Sequence, residues 1–148
     1  MKPSPFMEAA FAEAEAAARR GEVPIGAVVA QDGAILARAG NRTRELNDPT
    51  AHAEMLAIRE ACRLMASERL PQADLYVTLE PCPMCAAAIS FSRIRRLYFG
   101  AADEKGGAVV SGVRLFSQPT CHHAPETYAG FAEKRASQML KSFFRDKR

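Results

Sequence analysis

The stretch Glu80-Pro81-Cys82-Pro83-Met84-Cys85 constrains this chain more than any other. It follows an apolar, β-branched run at residues 75–79 that is typical of a buried strand, and it precedes residues 86–89, which favour a helix. Pro83 suits the first helical position, because proline lacks the N–H that a helix leaves unpaired there. Cys82 is then predicted at the N-cap and Cys85 one turn later, near the positive end of the helix dipole, which stabilises thiolates. Two thiolates held together in this way indicate a bound cation.

A second helix start lies upstream, at residues 48–50. Asp48 or Thr50 is a suitable N-cap, and the following residues favour a helix. His52 is therefore predicted in the first turn of this helix, with Glu54 beside it.

The two segments together predict a catalytic zinc site. His52, Cys82 and Cys85 supply three protein ligands, and a catalytic zinc leaves its fourth position to water. The carboxylate of Glu54 beside such a water can act as a general base. His-x-Glu followed by Pro-Cys-x-x-Cys is the pattern of zinc-dependent nucleobase deaminases.

Length, charge and cysteine content exclude several classes of protein. The 148 residues predict a single domain, 1–148, and the balance of 48% hydrophobic and 25% charged residues argues against disorder. The net charge of +3 permits an anionic partner without requiring one. The first residues show no apolar signal segment, and no apolar run approaches the ~18 residues of a membrane span. Four cysteines without a disulfide framework suit a reducing compartment, so we expect a cytoplasmic protein.

The order of predicted elements favours an α/β fold. We predict helices at residues 6–20, 52–67 and 83–92 and beyond residue 125, and strands at 25–31, 34–39, 75–79 and 96–100. Strands separated by single helices predict parallel pairing, and the Asp32-Gly33 hairpin adds an antiparallel edge. The prediction is a three-layer α/β/α fold with a mixed, mostly parallel central sheet, and with the zinc-bearing segments at the carboxyl ends of strands.

Other interpretations of the cysteines explain less of the pattern. A thioredoxin-like redox role for the CxxC pair accounts for neither the histidine nor the glutamate. A structural zinc needs a fourth ligand, and Cys62 lies ten residues of helix, ~15 Å, beyond His52. Cys121, His122 and His123 offer further donors, but neighbouring residues rarely converge on one ion. Cys62 is therefore interpreted as a core residue and Cys121 as a loop residue.

Several sequence blocks carry a family resemblance. They are Gly21-Glu22-Val23-Pro24-Ile25-Gly26-Ala27-Val28, Asn41-Arg42, Asp48-Pro49-Thr50-Ala51-His52-Ala53-Glu54, Tyr76-Val77-Thr78-Leu79-Glu80-Pro81-Cys82-Pro83-Met84-Cys85, Arg93-Ile94 and Phe143-Phe144-Arg145. In these blocks the chain resembles the bacterial tRNA-specific adenosine deaminases, which convert the wobble adenosine of a tRNA to inosine. The zinc motif alone fits any nucleobase deaminase, whereas the GEVPIGAV block, the TLEPC block and the FFR tail point to the tRNA enzymes.

The resemblance implies a cytidine-deaminase-like fold, a homodimer, and hydrolytic deamination within the anticodon loop of tRNA. It implies that His52, Cys82 and Cys85 hold one zinc ion per subunit, that this ion activates a hydroxide, and that Glu54 shuttles protons. No membrane partner is expected, because no apolar run is long enough to span a membrane.

The resemblance further implies a set of substrate contacts. Asn41 would hydrogen-bond the base with help from the Ala53 backbone N–H, and Asp103 would contact a sugar of the loop; an amide is independently suited to read adenine. Basic residues available for phosphate contacts are Arg42, Arg44, Arg93, Lys134, Lys141, Arg145, Lys147 and Arg148. The best candidates, including Arg145, lie at residues 141–148, where four of eight residues are basic.

Two other functions agree with parts of the pattern. A free-base deaminase acting on guanine or cytosine would share the zinc motif. A non-catalytic, zinc-containing RNA-binding module would share the ligands, but it would have no use for the Glu54 carboxylate beside an open zinc position.

Overall fold

The computed structural model describes residues 4–146 and contains four α-helices and five β-strands in that range. The helices are α1 (Pro5–Arg19), α2 (Ala53–Met65), α3 (Pro83–Phe91) and α4 (Glu133–Asp146). The strands are β1 (Gly26–Gln31), β2 (Ala34–Gly40), β3 (Asp74–Leu79), β4 (Arg96–Ala101) and β5 (Glu126–Tyr128). The elements predicted up to residue 100 are confirmed, with boundaries that differ by at most two residues. Within the described range no helix combines the length and apolar character needed to cross a membrane.

The five strands form one mixed sheet in the order β2-β1-β3-β4-β5. β1 pairs antiparallel with both β2 and β3, whereas β3, β4 and β5 pair in parallel. The other four described strands therefore run in one direction and β1 runs against them. The prediction of a mixed sheet is confirmed, with two parallel and two antiparallel pairings between the described strands. The β1–β2 hairpin forms one edge of the sheet as expected. The strand that runs against all the others is β1, the inner strand of this hairpin, and not the edge strand β2. As a result β2, β3 and β4 all end at the same side of the sheet.

Helices cover both faces of this sheet, which confirms the three-layer α/β/α architecture. Successive strand residues alternate between the faces, as the pleat requires. On one face α2 and α3 pack against a cluster that includes Ala27, Val29, Leu75, Val77, Leu97 and Phe99. On the other face α1 and α4 pack against Val28, Ala30, Tyr76, Tyr98 and Ala101. The side chains of both clusters are mostly buried completely, so the sheet is a rigid base for the residues that follow its strands.

Gly26 allows α1 to approach the sheet closely. A Cβ at this position would overlap the carbonyl oxygen of Ala10 and would lie 2.6 Å from the backbone nitrogen of Ala14. Both atoms belong to the α1 backbone, which cannot move aside as a flexible side chain could. Glycine is therefore required here for helix–strand packing, and the neighbouring backbone N–H of Gly26 donates to Thr78 Oγ1 at 3.2 Å.

The prediction of helix directly after Pro125 is wrong for residues 126–128. These residues form β5, which pairs with β4 and precedes α4. The strand is held by side chains on its neighbour: Arg96 Nε donates to Glu126 at 2.7 Å, and the Tyr98 and Tyr128 rings stack at 5.0 Å. A three-residue strand has too few residues for a recognisable alternating pattern, and pairing with β4 decides its conformation.

Candidate active site

The direction of the strands brings the predicted site residues to one side of the sheet. Asn41 directly follows β2, Cys82 follows β3 by three residues, and Asp103 follows β4 by two. Because these strands run in the same direction, the three segments lie together at the carboxyl-terminal ends of the strands. The expected location at the carboxyl ends of strands is confirmed, as is usual for sites in α/β proteins.

His52 and Cys82 occupy the same structural position at the starts of two helices. Each is an N-cap residue with extended backbone, His52 for α2 and Cys82 for α3, and neither side chain makes a capping hydrogen bond. Pro83 occupies the first turn of α3 as predicted. Because neither side chain is used for capping, both are available to bind a metal ion. The two helix N-termini also place the positive ends of their dipoles at the site.

The prediction that Asp48 or Thr50 caps α2 is wrong. The Asp48 carboxylate instead accepts hydrogen bonds from the backbone N–H and the hydroxyl of Thr50, at 2.8 and 2.7 Å. These bonds close a tight turn two residues before the helix, because the side chain of Asp competes effectively for nearby backbone donors. His52 consequently lies at the N-cap rather than in the first turn.

His52, Cys82 and Cys85 converge on one point. Sγ of each cysteine lies 3.6 Å from Nδ1 of His52, and all three atoms lie within 4.8 Å of one another. In a tetrahedral zinc site with ordinary Zn–S and Zn–N bond lengths, sulfur and nitrogen ligands are ~3.6 Å apart. The donor set and its spacing therefore fit one zinc ion, as predicted.

The electrostatics of the cysteine pair favour a metal cation. The Cys85 thiol donates to Cys82, and this bond, opposed by burial and aided by His52, lowers the pKa of Cys82 to about 4. The same bond and burial raise the pKa of Cys85, while the bond to Cys82 raises the pKa of His52. One sulfur is thus a thiolate at neutral pH, and a zinc ion would displace the proton of the other.

Glu54 lies in the first turn of α2, next to this cluster. Its side chain is buried, with 4% exposure, and burial raises the pKa of its carboxyl from 4.5 to about 7. Cys82 adds to this rise, whereas His52 and Cys85 partly oppose it. A carboxyl group with a pKa near neutrality can both accept and release a proton under physiological conditions.

Asn41 and Ala53 are in direct contact. The Ala53 backbone N–H donates to Oδ1 of Asn41 at 2.8 Å, and the Asn41 side chain is buried. This bond fixes the orientation of the amide, so Nδ2 is the group that can donate to a ligand. The two predicted base-contacting residues are therefore brought together beside the N-terminus of α2.

Asp103 lines a cleft of about 530 Å³ between the strand ends and α4. Its Oδ1 accepts hydrogen bonds from the backbone N–H groups of Lys105 and Gly106 at 3.2 and 3.0 Å. Apolar lining comes partly from Val23, Ile25 and Leu79, which we did not single out from the sequence. Their signal was present in the GEVPIGAV and TLEPC blocks, which carried the resemblance without indicating individual contacts.

The structure does not place Arg145 in that cleft. Arg145 is exposed on α4, where it contacts Ser142 and Asp146, whereas Lys141 and Phe144 of the same helix line the cleft. The predicted phosphate contacts Lys147 and Arg148 lie outside the described residues. Among the described basic residues of the tail, Lys141 lines the cleft and Arg145 does not.

Cys62 and Cys121 are separate from the ligand cluster, as predicted. Cys62 is partly buried against the core on α2. Cys121 lies in a loop, where it contacts Ser90 Oγ at 3.5 Å and the carbonyl of His123 at 3.2 Å. All four cysteines are free thiols.

Comparison with known proteins identifies the family. The family model of the cytidine and deoxycytidylate deaminase zinc-binding region matches residues 1–101. The tRNA-specific adenosine deaminase of Agrobacterium fabrum is 68% identical over 143 residues, which cover 97% of this chain and 94% of that protein. The corresponding enzyme of Bacillus subtilis is 46% identical over 143 residues, covering 97% and 89%.

A solved structure agrees with these sequence matches. It comes from work on A-to-I editing by tRNA:A34 deaminases at the wobble position of transfer RNA, and it superposes with a TM-score of 0.90 at 68% identity. The match covers 91% of this chain and 98% of that one. With its converging histidine and cysteine ligands at the strand ends, the chain belongs to the tRNA-specific adenosine deaminases of the cytidine and deoxycytidylate deaminase family.

Proposed function

We propose that this protein hydrolytically deaminates the wobble adenosine of tRNA to inosine. The observation that carries the proposal is the three-ligand cluster with a buried carboxyl, Glu54, two residues from its histidine, in a chain 68% identical to a tRNA-specific adenosine deaminase. The reaction replaces the N6 amino group of adenine with an oxygen from water and releases ammonia.

In this proposal the residues divide the chemistry between them. His52, Cys82 and Cys85 would hold zinc, which would supply a water of lowered pKa as the nucleophile for C6. Glu54 takes one proton from the attacking water and passes it to N1 of the ring. It then takes the second proton, from the hydroxyl now on C6, and passes it to the departing N6 amino group, which leaves as ammonia. Burial, which raises the pKa of this carboxyl, suits a group that must alternately accept and release protons.

The adenine base is held beside Glu54 by a fixed amide. Nδ2 of Asn41 donates to a ring nitrogen of adenine, since Oδ1 already accepts from Ala53. Ala53 therefore orients this contact, and its N–H can be shared with the bound base. The base in an anticodon loop is already outside a duplex, so moving it into this pocket requires little unstacking.

The cleft beside Asp103 is the proposed binding surface for the rest of the anticodon loop. It contains a carboxylate suited to a ribose hydroxyl, Lys141 suited to a phosphate, and Phe144, which is 50% exposed and can stack on a base. Arg145 extends the basic surface along α4 outside this cleft. Single-stranded loops are recognised by this combination of stacking and backbone contacts.

We also propose that the chain forms a homodimer through the α2–α3 face. Phe91, at the end of α3, is 71% exposed and borders a groove of about 660 Å³ between the two helices. Leu64 and Met65, at the end of α2, are 51% and 41% exposed. A second copy would bury this apolar surface, and sedimentation analysis should give a dimer for the wild type and a monomer for Phe91→Ser.

Residues 1–148 are proposed to act as one domain in the cytoplasm. α4 packs on the same sheet as the elements that carry the predicted zinc ligands. Ala136 makes this contact, and its Cβ lies so close to Gly100 that a side chain added at Gly100 would touch it. Free thiols at all four cysteines suit the reducing compartment in which tRNA is processed.

Inosine formation in purified tRNA tests the proposal. Wild-type protein should convert the wobble adenosine, Glu54→Gln should bind zinc and RNA without turnover, and Glu60→Gln, an exposed change on the same helix, should remain active. Turnover of free guanine or cytosine without tRNA activity would establish a free-base deaminase. RNA binding without any turnover would establish a non-catalytic module.

A further inference from the structure

Glu80 is a buried carboxylate that the proposed reaction does not use. It lies two residues before Cys82 and is 3% exposed. Oε2 accepts hydrogen bonds from the backbone N–H groups of Val109, Val110 and Ser111, each at 2.9 Å. Oε1 accepts from the backbone N–H of Asp103 and from the hydroxyl of Ser111, also at 2.9 Å.

Backbone dipoles compensate the charge of this carboxylate. Within residues 4–146, no lysine, arginine or histidine forms an ion pair with Glu80. Five hydrogen bonds converge on two oxygen atoms, which is enough to saturate a buried carboxylate. Such a group holds a segment of chain in one conformation, because each released N–H would remain buried without a partner.

The segment that Glu80 holds, residues 103–111, wraps around it. A Cβ at Gly107 would overlap the Glu80 carboxyl and would lie 2.6 Å from the carbonyl oxygen of Asp103. Beside it, the Ala108 N–H donates to the carbonyl of Pro81 at 2.9 Å, and the Glu80 N–H donates to Ala101 at 2.8 Å. The segment is thereby attached to the stretch that carries the zinc ligands.

The same segment carries Asp103, which lines the proposed substrate cleft. Asp103 is tied to Glu80 through its own backbone N–H, and its side chain is tied to Lys105 and Gly106. Glu80 therefore sets the distance between the wall of the cleft and the zinc-bearing stretch. A base bound in the site and a ribose bound at the cleft depend on this distance being constant.

We propose that Glu80 is a positioning residue for the RNA substrate, which fixes the Asp103 wall of the cleft relative to the Cys82 segment. This inference rests on the proposed function, since it concerns how tRNA is held. Loss of the Asp103 contact loosens the cleft wall and weakens the binding of RNA. The zinc ligands and Glu54 do not depend on this contact.

Glu80→Gln breaks one of the five bonds selectively. The amide oxygen can replace Oε2 and accept from the three N–H groups of residues 109–111. The amide nitrogen then replaces Oε1 and meets the Asp103 N–H, donor against donor, whereas the Ser111 hydroxyl can rotate to accept. Ser111→Ala is the matched control, because it removes a bond to the same oxygen and leaves the Asp103 contact intact.

Steady-state kinetics on an anticodon stem-loop RNA distinguish positioning from a general structural role. Glu80→Gln should keep one zinc per chain and raise KM by about tenfold, with kcat changed much less. Ser111→Ala should keep KM close to the wild-type value. An unchanged KM in Glu80→Gln, or an equal rise in Ser111→Ala, would overturn the inference.

Hydrogen exchange on the wild-type protein gives a second test that needs no folded variant. The amides of residues 103 and 109–111 should be protected, and exchange at these amides as fast as in an open loop would refute the positioning role. If wild-type protein makes no inosine, the proposed function fails while the exchange result still stands. If it makes inosine and these amides are unprotected, the inference about Glu80 fails alone.

Discussion

Glu54 should reduce the stability of the protein at neutral pH, because its buried carboxyl resists ionisation. The pKa of this carboxyl is raised from 4.5 to about 7 by burial. Below pH 4.5 the group is protonated in both the folded and the unfolded chain, so it does not make the free energy of unfolding depend on pH. Between pH 4.5 and 7 the unfolded chain loses the proton while the folded chain keeps it.

The size of the effect follows from the pKa difference. Each pKa unit corresponds to about 1.4 kcal/mol, so the free energy of unfolding should fall by about 3 kcal/mol as the pH rises through this window. Above pH 7 both states are ionised and the penalty stays constant. Glu54→Gln removes the titrating group at nearly constant shape and should abolish this loss.

Denaturant unfolding of zinc-stripped protein at a series of pH values between 4 and 8 measures this difference. The titrations of Cys82 and His52 also change stability, but they are present in both proteins and largely cancel in the comparison. Relative to wild type, Glu54→Gln should gain stability steadily from pH 4.5 to 7 and then level off. Glu133→Gln, a change at an exposed glutamate of α4, should follow the wild-type curve. A difference between wild type and Glu54→Gln that does not vary with pH would refute the reasoning.

Three further predictions concern the metal and the fold. Cys85→Ala should lose zinc by metal analysis, whereas Cys121→Ala should retain one zinc per chain; equal zinc in both would remove Cys85 from the ligand set. Chelator competition should show tighter zinc binding at pH 8 than at pH 6, because the raised pKa of Cys85 means that zinc must displace its proton, and affinity independent of pH would contradict this. Gly26→Ala should lower the free energy of unfolding by about 3 kcal/mol or more, since its Cβ meets the α1 backbone, whereas Gly33→Asn in the open hairpin turn should lower it by less than about 1 kcal/mol; similar thermal stabilities would contradict the packing role of Gly26.

The strand-to-helix junction at Glu80 to Cys85 could be predicted because its signals are local. An apolar β-branched run, a proline suited to the first helical turn and a helix-forming alanine run all lie within fifteen residues. They placed Cys82 at the N-cap of α3 and Cys85 one turn later, as the structure has them. The long-range hydrogen bonds that Glu80 makes in this stretch agree with its local preferences, so the junction forms where those preferences place it.

Local signals failed where another interaction competed. Asp48 is a good N-cap by type, but its carboxylate binds Thr50 instead, so the helix begins later and His52 becomes the cap. At residues 126–128 a strand formed because β4 offered hydrogen bonds and a stacked tyrosine, Tyr98. Neither competition can be weighed from residue types alone, because each depends on which groups the fold brings within reach.

The sequence by itself predicted the chemistry proposed for this protein, since residue types and their spacing indicated a zinc site at His52, Cys82 and Cys85, a general base at Glu54 and the alternation of helices and strands. Tertiary structure alone decided how those groups are tuned. Burial in a fully packed sheet-and-helix layer raises the pKa of Glu54, and the Ala53 N–H selects which end of the Asn41 amide faces a ligand. Tertiary structure also decided the role of Glu80, because the five groups that donate hydrogen bonds to its carboxylate belong to residues more than twenty positions away along the chain. Desolvation and long-range hydrogen bonding depend on the packed surroundings of a group, and those surroundings exist only once distant segments have come together.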